Sequence, residues 1–370
     1  MKHRSNKTSG YSNKFISAII IYALVLVSLA LFWRTCRKQL EPHEIFEEEP
    51  AAVAYWNNLT FPTDATNILQ GVESGEFQPT ASGRPESALY GSVRTGSSGH
   101  ATFHAGIDLR ALRRDRRGRP LDPVYAVNDG KVAYINRVAG NSNYGIYIVL
   151  IHRDAVGEVY TLYSHLASAS KDLVPGMPVS AGQQIGIIGN TPAHIIPMSR
   201  AHLHFEVGLV INSRFPEWFH QRYPSPNHGV FHGWNLLALD PLEFLREGFK
   251  PGFTMLDFIR QTPVAFEMVI DAGKHELDYF LRYPALWQSD SPAAGPMVLR
   301  FCQNGLALSG RPANAEERAQ IGSSGHAILL VDEEILGRNG RRLIINRNGN
   351  WQLSDRGGDW LGILLFPHSI

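Results

Sequence analysis

The chain has 370 residues, room for two or three domains at roughly 150 residues each. Its 44% hydrophobic and 19% charged residues exclude wholesale disorder. Lysine and arginine number 35 against 34 acidic residues, and a formal net charge of +1 argues against a dedicated nucleic-acid binder. Two cysteines, Cys36 and Cys302, exclude both a disulfide framework and a metal cluster built from cysteine alone.

The N-terminal segment predicts a membrane anchor. Residues 15–33 form a run of 19 residues without a charge, close to the ~20 apolar residues of a spanning helix. No small-residue cleavage site follows the run, so we expect an uncleaved helix rather than a signal peptide. Four Lys or Arg residues precede the run and three follow it. This balance favours a cytoplasmic N-terminal tail, residues 1–14, with an acidic linker, residues 34–60, on the other side of the inner membrane.

Residues 125–207 predict an antiparallel all-β domain. Short β-branched and apolar runs alternate there with turn residues, and helical periodicity is weak. Asn128-Asp129-Gly130 and Val156-Gly157-Glu158 separate such runs and are expected to form hairpin turns.

The chain beyond this domain predicts a short helix and then a second region. The helix is expected directly after Asp240-Pro241. We expect residues 250–370 to form a β-rich accessory region in which 326–337 and 360–367 contribute strands.

Three histidine patterns are candidates for chemistry. His202, His204 and Glu206 share one face of a strand, since side chains alternate with period two. His104 and Asp108 are four residues apart and both offer atoms that bind zinc well. His165 lies near one end of a strand-like run. Taken singly, each pattern more often marks a hydrogen-bonded core residue than a site.

Together and in this order, the patterns resemble the M23 (LytM/lysostaphin-type) zinc metallopeptidases. The resemblance extends over about residues 61–245, half of the chain. The sequence HAGIDL, from His104, matches the first metal motif of the family, and AHLHFEV, from Ala201, matches the second. YSHL, from Tyr163, matches the intermediate histidine motif. The resemblance implies an all-β, antiparallel peptidase domain over residues 61–249, with an open groove that holds the metal.

The resemblance also implies the role of each site residue. His104, Asp108 and His204 would bind one Zn²⁺ in the catalytic domain, leaving a fourth position for water. His202 would act as general base or as proton donor to the leaving amine. His165 would stabilise the oxyanion or share the proton transfers, and the division of labour between the two histidines stays open. The implied activity is a zinc metalloendopeptidase that hydrolyses peptide cross-links of peptidoglycan in the bacterial periplasm, with a zinc-bound water attacking the scissile carbonyl.

Three segments depart from the family pattern. Residues 192–200 lack the expected glycines and contain His194. The loop Arg110–Arg119 has six arginines in ten residues, which either bind anionic groups of the cell wall or face solvent. An insertion at 208–239 is rich in aromatic residues that either cover the cleft or pack onto the sheet.

Two other functions remain open at this point. The first is a non-catalytic activator of cell-wall amidases, against which the complete set of ligands counts. The second is a peptidase of envelope proteins, which the insertion leaves open. We expect the accessory region to bind the wall, an envelope protein or the groove itself. Neither a phosphate-binding loop nor the G-x-S-x-G elbow of serine hydrolases is present.

Overall fold

A computed structural model describes residues 56–95, 101–191, 196–224 and 228–367. The predicted membrane helix 15–33, the N-terminal tail, most of the acidic linker and His194 lie outside the described residues. Within the described part of the chain, no helix is both long and apolar enough to cross a membrane. The described residues belong to one compact unit.

Short strands joined by turns make up most of the described chain. The strands are β1 (Val93–Thr95), β2 (Ala101–Phe103), β3 (Ile107–Arg110), β4 (Pro123–Tyr125), β5 (Gly130–Asn136), β6 (Ile146–Asp154), β7 (Gly157–Leu166), β8 (Ser168–Ala169), β9 (Pro178–Val179), β10 (Gln184–Ile187), β11 (His202–Val210), β12 (Leu236–Leu239), β13 (Phe266–Asp271), β14 (Pro296–Phe301), β15 (Ala307–Pro312), β16 (His326–Val331), β17 (Ile344–Arg347) and β18 (Asn350–Leu353). The α-helices are α1 (Phe215–His220), α2 (Pro241–Gly248), α3 (Met255–Gln261), α4 (Asp278–Arg282), α5 (Ala315–Ala319), α6 (Glu333–Leu336) and α7 (Asp355–Leu365). Single-turn and longer 3₁₀ segments occur at Trp56–Asn58, Asn67–Ser74, Pro85–Ala88, Met198–Arg200, Gly229–Phe231 and Pro284–Leu286.

The largest sheet is centred on β11. Its strand order is β12-β11-β7-β6-β5-β9, and β3 also pairs with β11. One edge of β11 receives β3 along its first half and β12 along its second half, while β7 pairs with the other edge. All of these pairs are antiparallel, which confirms the predicted antiparallel β domain. Leu203, Phe205 and Val207 on the apolar face of β11 are fully buried in the core.

The predicted turns have different outcomes. The β6–β7 hairpin closes between Asp154 and Gly157, so the second predicted turn is confirmed. The prediction of a hairpin at 128–130 is wrong, because β4 pairs with β10 rather than with β5. A strand of three residues is too short to specify its own partner, and the partner arrives here from about sixty residues further along the chain. The predicted helix after Asp240 is α2, with the Asp240 carboxylate accepting from the Leu242 amide at 2.9 Å.

The C-terminal region is mixed rather than purely β. A four-stranded sheet of order β15-β14-β13-β16 and the β17–β18 hairpin confirm most of the expected strands. The strand expected at 360–367 is wrong, since this run lies in helix α7, which Ser354 caps by accepting from the Gly357 amide. Residues 326–331 are a strand, as expected, but the strand ends before α6, which Asp332 caps. A capping residue just before an apolar run starts a helix even where the run itself has strand-like composition. The fold is therefore mostly β.

The C-terminal region packs directly on the second half of β11. The Asn212 amide donates to the carbonyls of Ile363 and Phe366 at 2.9 and 2.7 Å. Arg282 donates to the carbonyls of Val210 and Ile211 at 3.0 and 2.7 Å. Apolar side chains of both regions form one continuous core. The domain boundary near residue 250 stays a prediction.

Candidate metal centre

Three side chains converge where β3 meets β11. Asp108 lies directly opposite His204 in the antiparallel register, and His104 lies between β2 and β3, directly after β2. His104 Nε2, Asp108 Oδ1 and His204 Nδ1 are each 3.0 Å from the other two. Of the groups in the described part of the chain, this set alone has the composition and spacing to hold a metal ion.

Gly106 makes this close approach possible. A Cβ atom at this position would lie 2.4 Å from the Phe205 carbonyl oxygen and 2.9 Å from His204 Nε2. Since real Cβ atoms essentially never come this close to backbone atoms, no other residue fits between the His104 and Asp108 positions without moving His204.

The outer hydrogen bonds of the two histidines orient their lone pairs toward the centre. His104 Nδ1 donates to the Leu89 carbonyl at 2.9 Å, and His204 Nε2 donates to Glu206 Oε1 at 2.8 Å. Each ring nitrogen that faces the centre is therefore an acceptor when its ring is neutral. Two imidazole lone pairs and a carboxylate oxygen at such short range repel one another unless a cation lies between them. These donors fit zinc, which binds nitrogen and carboxylate oxygen at about 2.0–2.2 Å.

Electrostatics at the centre favour positive charge. Burial lowers the pKa of His204, but its hydrogen bonds to Asp108 and Glu206 outweigh this effect and raise the pKa to about 9. Burial raises the pKa of Asp108, yet its interactions with His104, His202 and Arg94 hold that pKa well below the usual range. In the same surroundings burial lowers the pKa of His104 to about 4. The centre thus keeps its carboxylate ionised and takes up one positive charge.

A third histidine, His202, also lies at this centre. Its Nδ1 donates to the Arg200 carbonyl at 2.8 Å, and its Nε2 lies 3.6 Å from Asp108 Oδ1. Burial lowers the pKa of His202. A neutral imidazole whose Nε2 lone pair faces the centre is suited to accept a proton there.

His165 reaches the centre because of an unusual backbone conformation. Its φ of 60° is in the left-handed region, and β7 carries one extra residue relative to β6 at this point. Since Ser164 lies opposite His204, strict alternation would direct the next side chain to the other face. The left-handed residue breaks this alternation, and the ring centroid of His165 lies 4.9 Å from that of His202.

The structure therefore brings together all five predicted site residues. They come from β3 and the segment before it, from the end of β7 and from the start of β11, and each is at most 8% exposed. The roles assigned to them individually stay predictions.

Several residues at the site had no role in the sequence analysis. Arg94 Nη2 lies 2.6 Å from Asp108 Oδ2 and holds the carboxylate in place. Glu206 accepts from Tyr144 and Tyr160 at 2.9 and 3.1 Å, besides His204. The position of Glu206 two residues after His204, on the same strand face, was a usable signal. The sequence contains no comparable signal for Arg94 or the two tyrosines.

The insertion both packs on the sheet and approaches the site. Its aromatic residues Phe215, Trp218, Phe219 and Phe231 are buried in the core. Trp234 is 44% exposed, and the neighbouring Gly233 lies against the Tyr144 ring.

The arginine-rich loop is largely tied to the protein surface. Arg113 pairs with Asp64 at 2.6 Å, and Arg119 pairs with Asp115 at 2.7 Å. Arg114 donates to the carbonyls of Met198 and Ser199, which precede β11. Part of this loop therefore supports the segment that leads into the metal centre.

Comparison with known proteins shows what the part of the chain that contains the His–Asp–His cluster is similar to. Residues 102–214 match the model of peptidase family M23. Among solved structures, similarity is found to the catalytic domain of the antimicrobial peptidase lysostaphin from Staphylococcus simulans, with 26% identity over 43% of this chain and 89% of that chain and a TM-score of 0.27. A zinc-containing peptidase from Vibrio cholerae matches with 25% identity over 36% of this chain and 35% of that chain, at a TM-score of 0.24. Csd3 from Helicobacter pylori matches with 20% identity over 42% of this chain and 32% of that chain, at a TM-score of 0.26. No curated protein matches the chain.

The segment matched by the family model contains all five site residues. The match to the family model confirms the resemblance predicted from the sequence motifs. Peptidases of this family are zinc-dependent and act on peptidoglycan peptides. The chain spans about a third of the length of the Vibrio cholerae and Helicobacter pylori proteins that it resembles.

Proposed function

We propose that the protein is a zinc-dependent endopeptidase that hydrolyses the peptide cross-links of bacterial peptidoglycan. One observation carries the proposal: His104, Asp108 and His204 direct three acceptor atoms at one point, each 3.0 Å from the others. Three protein ligands leave a coordination position open, which is typical of catalytic rather than structural zinc.

The side chains around the metal position complete an amide-hydrolysing site. A zinc ion held by the three ligands supplies a Lewis acid that polarises the scissile carbonyl and makes water more acidic. His202, with its Nε2 turned to the centre and its Nδ1 held by the Arg200 carbonyl, accepts the proton of the attacking water. His165, adjacent to His202, donates to the oxyanion or carries the proton to the leaving amine.

The full chain, loaded with zinc and incubated with purified sacculi, tests this function. Released muropeptides are identified by mass spectrometry. We expect cross-linked dimers to be lost and the corresponding monomers to appear, which also identifies the scissile bond. His104→Ala removes one ligand and should abolish both the cleavage and stoichiometric zinc binding.

His220→Ala is the matched control, since His220 is an exposed histidine on α1. This variant should cleave sacculi like the wild type. Intact cross-links after incubation with a chain that binds zinc stoichiometrically would contradict the proposal. Stimulation of a purified amidase under those conditions would favour the activator function instead, and cleavage of envelope proteins would favour the third alternative.

We also propose that residues 15–33 anchor the protein in the inner membrane, with the catalytic domain in the periplasm. Support comes from the 19-residue run without a charge and from the Lys and Arg residues on either side of it. Protease accessibility in spheroplasts tests the orientation, because a periplasmic domain is digested without lysis. Binding of an envelope protein by the C-terminal region stays a prediction.

A further inference from the structure

The C-terminal region reaches the metal centre through the loop between α6 and β17. Gly340 in this loop lies against the β1–β2 hairpin, where a Cβ atom would come within 2.7 Å of Val93 Cγ2 and 3.3 Å of Phe103 Cδ2. Phe103 is the residue before the ligand His104. Arg341 is the next residue of this loop.

A second contact positions the Arg341 side chain. The buried Asn304 donates to the Ala238 carbonyl at 2.6 Å, and Tyr90 donates to the same oxygen at 3.0 Å. Arg341 Nε in turn donates to the Asn304 carbonyl at 3.4 Å. Residues from both regions of the chain therefore hold the guanidinium beside Tyr90.

The charge of Arg341 acts on the Glu206 side of the site. The tyrosines 90, 144 and 160 and the carboxylate of Glu206 lie within its electrostatic range. Burial raises the pKa of Tyr144, and the nearby Arg341 opposes that rise. The Tyr144 ring is 6.0 Å from the ring of His204, so one of the groups on which Arg341 acts lies beside a predicted metal ligand.

The guanidinium has hydrogen-bonding capacity to spare. Within the described residues its one hydrogen bond comes from Nε, and no carboxylate forms an ion pair with it. Both oxygens of Glu206 already accept from Tyr144, Tyr160 and His204. The residue as a whole is partly exposed, and burial lowers the pKa of its guanidinium, but an arginine keeps its charge at neutral pH. A cation whose two terminal nitrogens have no hydrogen-bond partner among the described residues is suited to bind a carboxylate in a bidentate manner.

We propose that Arg341 binds a free carboxylate of the substrate peptide on the Glu206 side of the metal centre. The preferred substrate is then a peptide that carries an unblocked carboxylate close to the scissile bond. This inference rests on the proposed endopeptidase function and makes the C-terminal region a part of the substrate site.

The test uses two synthetic cross-link peptides that differ in one group, a free carboxylate or the corresponding carboxamide. Hydrolysis by the zinc-loaded full chain is followed by liquid chromatography and mass spectrometry to obtain kcat and KM. A charge-assisted hydrogen bond predicts a KM on the order of tenfold lower for the acid than for the amide. Arg341→Gln should raise the KM for the acid about tenfold, leave kcat unchanged and leave the amide unaffected.

Two further variants separate binding from structural damage. Arg341→Lys keeps the charge and should restore part of the preference for the acid. Arg338→Gln removes an exposed arginine of the same loop and should behave as wild type. A wild-type enzyme that treats both peptides alike would overturn the inference, as would an Arg341→Gln variant that loses activity equally on both.

A binding measurement separates failure of this inference from failure of the proposed function. Calorimetric titration of the metal-free chain with each peptide requires no catalysis. Tighter binding of the acid, lost in Arg341→Gln, supports the carboxylate site even if sacculi and peptides remain intact and the endopeptidase proposal fails. Equal binding of both peptides contradicts it.

Discussion

The two ends of β11 serve different purposes. At its start, His202 and His204 face Asp108 of β3, and the contacts are between polar side chains that meet at one point. Past its other end, Asn212 and the carbonyls of Val210 and Ile211 bond to helices α4 and α7 of the C-terminal region. One strand therefore carries the chemistry and the docking of the remaining chain.

The comparison shows that burial has different consequences at the two ends. The first end buries acceptors that a bound metal ion or a proton on His204 satisfies, so its energetics depend on metal and on pH. The second end buries backbone carbonyls that protein donors satisfy, so its energetics depend on folding. Changes at the first end should alter zinc binding, and changes at the second should alter stability.

Removing the C-terminal region gives the largest expected effect. We expect a chain that ends at Phe249 not to fold cooperatively, because the exposed core and lost hydrogen bonds together exceed the about 5–15 kcal/mol of typical net stability. Circular dichroism during heating checks this. A sharp thermal transition, with retained zinc binding, would instead support an independent domain that ends near residue 250.

Asn212→Ala changes only the end of β11 on which the C-terminal region packs. It leaves the Phe366 carbonyl without its donor and the Ile363 carbonyl with the Phe366 amide alone, which should cost about 2–4 kcal/mol of unfolding free energy. Denaturant titration measures the loss. Asn350→Ala, at an exposed asparagine, should change little. A loss of zinc affinity in Asn212→Ala, while the chain is still folded, would show that the two ends are coupled.

Glu206→Gln changes the end of β11 that carries the metal centre. Glutamine is neutral and holds the His204 Nε2 proton less strongly, so zinc affinity should fall about 10- to 100-fold. Competition with a chromophoric chelator measures the affinity. Unchanged affinity in this variant would mean that the Glu206 carboxylate does not support the metal ligand.

Titration of His152, which lies away from both ends of β11, should give the smallest effect on stability. Burial lowers its pKa to about 4, whereas an unfolded histidine titrates near 6.5. Below pH 6.5 the unfolded chain binds a proton that the folded chain does not, so stability falls as the pH drops from 6.5 toward 4. The loss reaches about 1.4 kcal/mol at pH 5.5.

Comparison of the zinc-loaded wild type with His152→Asn isolates this contribution. Asparagine can replace the donor to the Asp129 carbonyl but does not titrate. The decrease in unfolding free energy from pH 7.5 to pH 5.5 should be about 1.4 kcal/mol smaller in the variant than in the wild type. An equal pH dependence in both chains would place the proton uptake elsewhere.

The histidine site was largely predictable from sequence. Alternation along a strand placed His202, His204 and Glu206 on one face, and ligand chemistry made His104 and Asp108 candidates. The resemblance to M23 peptidases implied that they bind one metal ion together with His204. The left-handed His165 was not predictable, because one extra residue in β7 reverses the direction in which its side chain points. Helix α7 was mistaken for a strand because a short apolar run fits both, and the Ser354 cap decides between them.

The sequence by itself determined the β-rich peptidase domain, the ligand types and the order of the motifs, since these depend on residues that are neighbours along the chain. Tertiary structure alone decided that Arg94 holds Asp108, that Asn212 binds the last helix and that Arg341 lies within electrostatic range of Glu206. The residues in the last two contacts are separated by more than 100 positions. No local pattern encodes such contacts, because they form only when separate segments pack against the same strand.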